Sequence, residues 1–79
     1  MKKYRGNEVE AVYCNSCGKE MEVEHGIIKE GVFEADISWG YFSEKDGERH
    51  NFDMCEECYN LMIEKFKILV ERRSLKAFL

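Results

Sequence analysis

Proline is absent from the 79 residues, glycine occurs six times, and no repeat, low-complexity tract or Gly/Ser-rich linker interrupts the chain. Domains usually run to roughly 100–150 residues, so residues 1–79 are expected to form one domain at most. Long apolar runs are missing as well. The longest purely aliphatic one is Ile68-Leu69-Val70, far below the ~20 residues of a membrane span. The basic start, Met1-Lys2-Lys3-Tyr4-Arg5-Gly6, leads into no apolar segment of the signal-peptide kind, and a cytoplasmic protein is expected. Positive charge is in deficit: twelve Lys and Arg against sixteen Asp and Glu give −4. Generic nucleic-acid binding draws its affinity from cations neutralising phosphates, so this balance disfavours it. Histidine is scarce. His25 and His50 are the only two, and each reads as an ordinary strand or loop residue, so no enzyme is expected.

Against these absences stand four cysteines. A chain of this length buries only about 60% of its unfolded surface, and such domains usually need a disulfide, a metal or a partner. Cys14 with Cys17 and Cys55 with Cys58 form two C-x-x-C pairs, separated by residues 18–54. In a cytosolic chain, two such pairs read as a zinc site rather than as disulfides or a dithiol oxidoreductase. Sulfurs three positions apart converge on one ion, and two pairs supply four thiolates of a closed tetrahedron. Gly18 allows a tight knuckle whose amides point at sulfur, and the second pair falls in a helical first turn, where the dipole favours thiolate. All four ligands come from protein, leaving no position for water or substrate: the ion is structural. One zinc ion is expected in preference to iron, because rubredoxin-type iron sites use two glycine-following knuckles, whereas Cys58 is followed by Tyr59.

The rest of the chain reads as strands and one helix. Val9–Tyr13 has strand-forming residues, Met21–His25 alternates, and Phe33, Ala35, Ile37, Trp39 and Tyr41 share one face of a longer strand. Asp46-Gly47 signals a hairpin turn, with Arg49–Phe52 returning. Asp53 and Glu56 make a capping-box pattern. In the helix they open, Cys55, Cys58, Tyr59, Met62, Ile63, Phe66, Leu69 and Val70 fall in an arc of about 140°, predicting helix to about Val70. The core is therefore expected over 9–70, with a C-terminal helical extension over 71–79. The odd-numbered strand face is expected to pack on Tyr59, Met62 and Phe66, and Phe42, on the opposite face, to be an exposed aromatic.

The fold class is thus a small α+β, zinc-stabilised domain. The order knuckle, β-hairpin, helix with two ligands in its first turn resembles the treble-clef zinc finger over Cys14 to about Val70. The resemblance implies Cys14, Cys17, Cys55 and Cys58 as ligands. A zinc ribbon is the competing topology; the helical stripe beginning at Cys55 argues against it. The segment Ile37–Gly47, together with Cys55-Glu56-Glu57-Cys58-Tyr59, also resembles small bacterial proteins of Firmicute type, to which no activity attaches. Treble clefs serve nucleic-acid binding, protein binding, ubiquitin-type chemistry and nuclease sites, so the resemblance names no function.

Three readings of function follow. Leu61, Ile68 and Leu75 are spaced by seven with Leu79 four further on, a second apolar seam if the helix continues, which suits a homodimer or a protein partner. A nucleic-acid or transcription-related zinc finger would use Lys2, Lys3, Arg5, Arg72, Arg73 and Lys76 with Phe42. A thiol redox sensor would eject zinc on oxidation.

Overall fold

The computed structural model describes residues 1–75, so Lys76, Leu79 and the last positions of the expected 71–79 extension lie outside it. Strands β1 (Lys2–Arg5), β2 (Glu8–Tyr13) and β3 (Glu20–Met21) form an antiparallel sheet in that order. Sequence pattern finds β2 but misses β1, whose charged residues carry no apolar alternation. Gly6, at φ 65, makes the turn that folds β1 back on β2.

The alternating segment at 21–25 is not one strand. It breaks at Glu22, whose amide donates to the Glu30 carboxylate at 2.7 Å and whose carbonyl accepts from Lys29 at 2.8 Å. Beyond the break, β4 (Val23–Glu24) and β5 (Ile27–Ile28) pair around His25 and Gly26. Both turn residues are left-handed, at φ 51 and 79, the geometry that suits a two-residue hairpin.

The longest pairing joins β6 (Val32–Ser38) to β7 (Arg49–Cys55), in register from Val32↔Cys55 to Ser38↔Arg49. β6 stops at Ser38 rather than reaching Tyr41. The Trp39 amide donates to the Glu48 carbonyl at 2.9 Å, and residues 40–48 then form consecutive turns instead of a tight turn at Asp46-Gly47. Lys45 Nζ lies 4.7 Å from the Trp39 ring centre, which anchors the tip. Tyr41 and Phe42 are displayed at 82% and 98% exposure, so Phe42 is the exposed aromatic expected, while Tyr41 leaves the core face.

Helix α1 covers Glu56–Glu64 only. The expected capping box does not form: Asp53 is a buried member of β7, and Cys55 takes the N-cap position without any side-chain cap bond. The local Asp-x-x-Glu pattern is overridden by strand pairing and by the ion pairs described below. The expected end near Val70 is also corrected. Lys65 and Phe66 donate to the carbonyls of Met62 and Ile63, a tightened last turn, and no regular structure follows through residue 75. A short helix is held by what it packs on, and Ile68 and Leu69, 86% and 82% exposed, have no surface there to bury them.

The core is small and centred on sulfur. Ala11, Val12, Cys14, Met21 and Cys55 are the buried apolar residues, with Val9, Val23, Ile28, Val32, Met54 and Cys58 packed partly around them. No residue of α1 is buried. On the ribbon, Phe33 lies opposite Met54, Ala35 opposite Phe52 and Ile37 opposite His50, so these six share one face. The Phe33 ring meets Tyr59 of α1 at 5.3 Å and Phe52 at 6.1 Å, which covers only the helix-proximal end of that face. The molecule exposes 6,916 Å², whereas a folded chain of its 9.4 kDa typically exposes about 5,000 Å².

Candidate metal centre

Two turns of chain bring the cysteines together. Cys14 follows the last residue of β2, and its amide donates to the Lys19 carbonyl at 2.9 Å. Gly18 donates back to the Cys14 carbonyl at 2.8 Å and takes φ 81, a left-handed position that suits glycine. The loop so closed turns the Cys17 amide toward Cys14 Sγ, 3.4 Å away. From the other side, the last residue of β7 is Cys55, and Cys58 lies one turn into α1.

The four sulfurs lie within 4.8 Å of one another. Cys17 Sγ and Cys55 Sγ are 3.8 Å apart, and all four thiols are free. A disulfide would need about 2.05 Å, whereas a tetrahedron with metal–sulfur bonds of about 2.3 Å has edges near 3.8 Å. The spacing therefore fits one four-coordinate ion. No family model, curated protein or solved structure matches this chain. The centre is read from its own geometry.

Electrostatics divide the donors. Burial opposes ionisation of Cys14, but the amides of Cys55, Cys17 and Ser16 outweigh it and lower its pKa to about 6. At Cys58 the Ser16 hydroxyl favours the thiolate, yet hydrogen bonds with the neighbouring sulfurs together with burial outweigh it and push the pKa up to about 12. Four thiolates this close repel one another unless a cation lies among them, which is what a divalent ion supplies. Cys14 and Cys55 are buried, Cys58 is half-buried and Cys17 faces solvent.

Asn15, for which no role is expected, and Asp53, expected as a helix cap, hold the halves of this site in place. Asn15 sits between the first two cysteines, and its amide donates to the Asp53 carbonyl at 2.7 Å. Its side-chain Oδ1 accepts from the Asp53 amide at 2.9 Å, so Asn15 grips the β7 backbone in both directions two residues before Cys55. The Asp53 carboxylate, in a residue 4% exposed, accepts from Lys2 Nζ and from the Met1 amine. The Met1 amine also donates to Asn15 Oδ1, and Lys2 pairs in addition with Glu34 at 2.9 Å. Burial raises the Asp53 pKa, and Lys2 with the amine overcome this, holding it below the ordinary value. The only sequence signal for Asn15 is an amide-bearing residue inside the knuckle, and its partner is 38 positions away.

Asn15→Ala is expected to weaken metal binding by about tenfold, the equivalent of one net hydrogen bond to a buried donor, while Asn15→Asp, which keeps the acceptor, loses less. Competition with a chromophoric chelator measures this; equal affinities for wild type and Asn15→Ala would refute it.

The other candidates lie elsewhere. His25 occupies the β4–β5 turn, and His50 packs on Trp39 at 5.7 Å with Nε2 3.0 Å from Glu48, so neither joins the sulfurs. Of the basic residues, Lys2 is ion-paired as above, Arg5 lies 3.4 Å from Glu10, and Lys3 sits 5.5 Å over the Tyr13 ring. Arg72 and Arg73 lie beyond the helix, remote in sequence from that group. Leu61, Ile68 and Leu75 are exposed at 60%, 86% and 93%, but with α1 ending at Glu64 they do not form one helical seam, and Leu79 is outside the described residues. None of the helices described is long and apolar enough to cross a membrane.

Proposed function

We propose that this chain is a non-enzymatic, treble-clef-like module, folded by one structural zinc ion, that works by binding protein, including itself. The observation that carries the zinc reading is that the core and the ligand cluster are the same place: among the described residues, two of the five buried apolar ones are ligand cysteines. A closed set of four protein sulfurs leaves no coordination position for a substrate, so the ion serves the fold. The knuckle at Cys14–Cys17, the β6–β7 hairpin and α1 follow one another in treble-clef order, with β4 and β5 filling the long connection. Zinc is favoured over iron because Cys58 is held within a helix rather than on a second knuckle.

Protein binding is supported by apolar groups left in water, among them Leu61, Ile68 and Leu75. Single exposed apolar residues are ordinary, but several at 60–93% exposure on so small a chain favour an interaction role. The full chain purified without added metal is expected to be colourless and to contain one zinc per chain by elemental analysis. A coloured iron protein, or a metal-free chain with two disulfides by mass spectrometry, would overturn the zinc reading.

A further inference from the structure

We propose that two metal-loaded copies of this chain associate by exchange, residues 66–75 of each lying across the apolar face of the other's β6–β7 ribbon. The proposal deepens the protein-binding reading above and rests on it.

The receiving surface is the face shared by Phe33, Ala35, Ile37, Phe52 and Met54. α1 covers one end through Tyr59 and leaves the other open: none of the five is buried, and Ile37 is 43% exposed. The occupant is the segment after α1. It carries Phe66, Ile68, Leu69 and Leu75, exposed at 44%, 86%, 82% and 93%. Within one copy this segment borders its own helix, where Leu69, Val70 and Arg72 line a groove with Asn60, Ile63 and Glu64.

Charge selects a second copy as the partner. Residues 66–75 hold Lys67, Arg72 and Arg73 against Glu71, leaving +2. The tip beyond the open end of the ribbon, residues 44–48, holds Glu44, Asp46 and Glu48 against Lys45, leaving −2. A chain that carries a net positive apolar segment and a net negative tip beside the open end of its apolar face complements itself. Area points the same way. The exposed 6,916 Å² exceeds the typical value by about 1,900 Å², and a standard interface removes about 800 Å² from each partner. Reciprocal exchange closes on a two-fold axis, so both segments and both faces are covered and no fibre grows.

Sedimentation equilibrium of the metal-loaded full chain tests this, with metal content measured for every variant. Wild type is expected to show a reversible monomer–dimer equilibrium. Ile37→Asp, and Ile68→Asp with Leu69→Asp, each place charge in the contact and are expected to weaken it about tenfold or more without loss of metal. The charge-reversed chains Arg72→Glu/Arg73→Glu and Glu44→Lys/Glu48→Lys should each self-associate less than wild type, and form a mixed dimer when combined. That rescue follows only from contact between these two segments. A chain that stays monomeric at every concentration overturns the proposal and the self-association reading with it, leaving the metal reading intact. A dimer insensitive to all four changes overturns this interface but keeps self-association.

Discussion

Stripping the metal with a chelator should abolish the folded state of the whole chain, with loss of the cooperative thermal transition and of the strand and helix circular dichroism signal. The reason is the size of the remaining core. Without the ion, Val12, Met21 and Ala11 are the buried apolar residues that are not ligands. Structural zinc in small domains contributes about 10–16 kcal/mol, as much as or more than the about 5–15 kcal/mol by which whole proteins are stable. Replacing a buried ligand, Cys55→Ser, should act like the chelator. Cys17→Ser should do less damage, since Cys17 faces solvent and water can complete the coordination there. Acid should mimic chelation too. Protons compete with the metal for the four sulfurs, so metal affinity, and with it the stability of the fold, falls as pH falls. A chain that still melts cooperatively in excess chelator would sink the idea that the ion holds the fold.

Asp53→Ala should be the most damaging substitution outside the cysteines, destabilising the metal-loaded chain by about 3–5 kcal/mol. Asp53 is 4% exposed, and removing its carboxylate leaves Lys2 Nζ, whose side chain is 19% exposed, without its nearest anion. Replacing Lys2 as well, Asp53→Ala with Lys2→Met, should recover part of the loss, because the half-buried ammonium that Asp53 neutralised is then gone. The sign with pH follows from the lowered Asp53 pKa. Its contribution is complete above the unfolded value of about 3.9 and disappears as pH falls through the lower folded value, so the deficit of the variant should be constant near neutrality. Urea titration at fixed free zinc measures the difference, and a deficit under about 1 kcal/mol, the range of an exposed ion pair, would refute the buried-pair account.

The two predictions mark the boundary between what local sequence carries and what it does not. The convergence of Cys14, Cys17, Cys55 and Cys58 is legible because each pair is three positions apart, within one turn of chain. The β6–β7 pairing is legible because alternation of Phe33, Ala35 and Ile37 is a local pattern; Phe42 is exposed for a different reason, because it lies with Tyr41 in the turns beyond β6. The helix-cap expectation for Asp53 fails for the converse reason. Its neighbours match a helix cap, while the group that decides its role, Lys2, is 51 positions away.

By itself, then, the sequence determined that this chain is a small α+β domain closed by four sulfurs, because ligand spacing and strand alternation act over a few residues. Only the tertiary structure decided where the helix stops, that β1 and Asn15 brace the two halves of the metal centre, and which apolar face is left open. Those outcomes depend on contacts between distant segments, and on α1 running out of surface to pack against after Glu64, which no local pattern encodes.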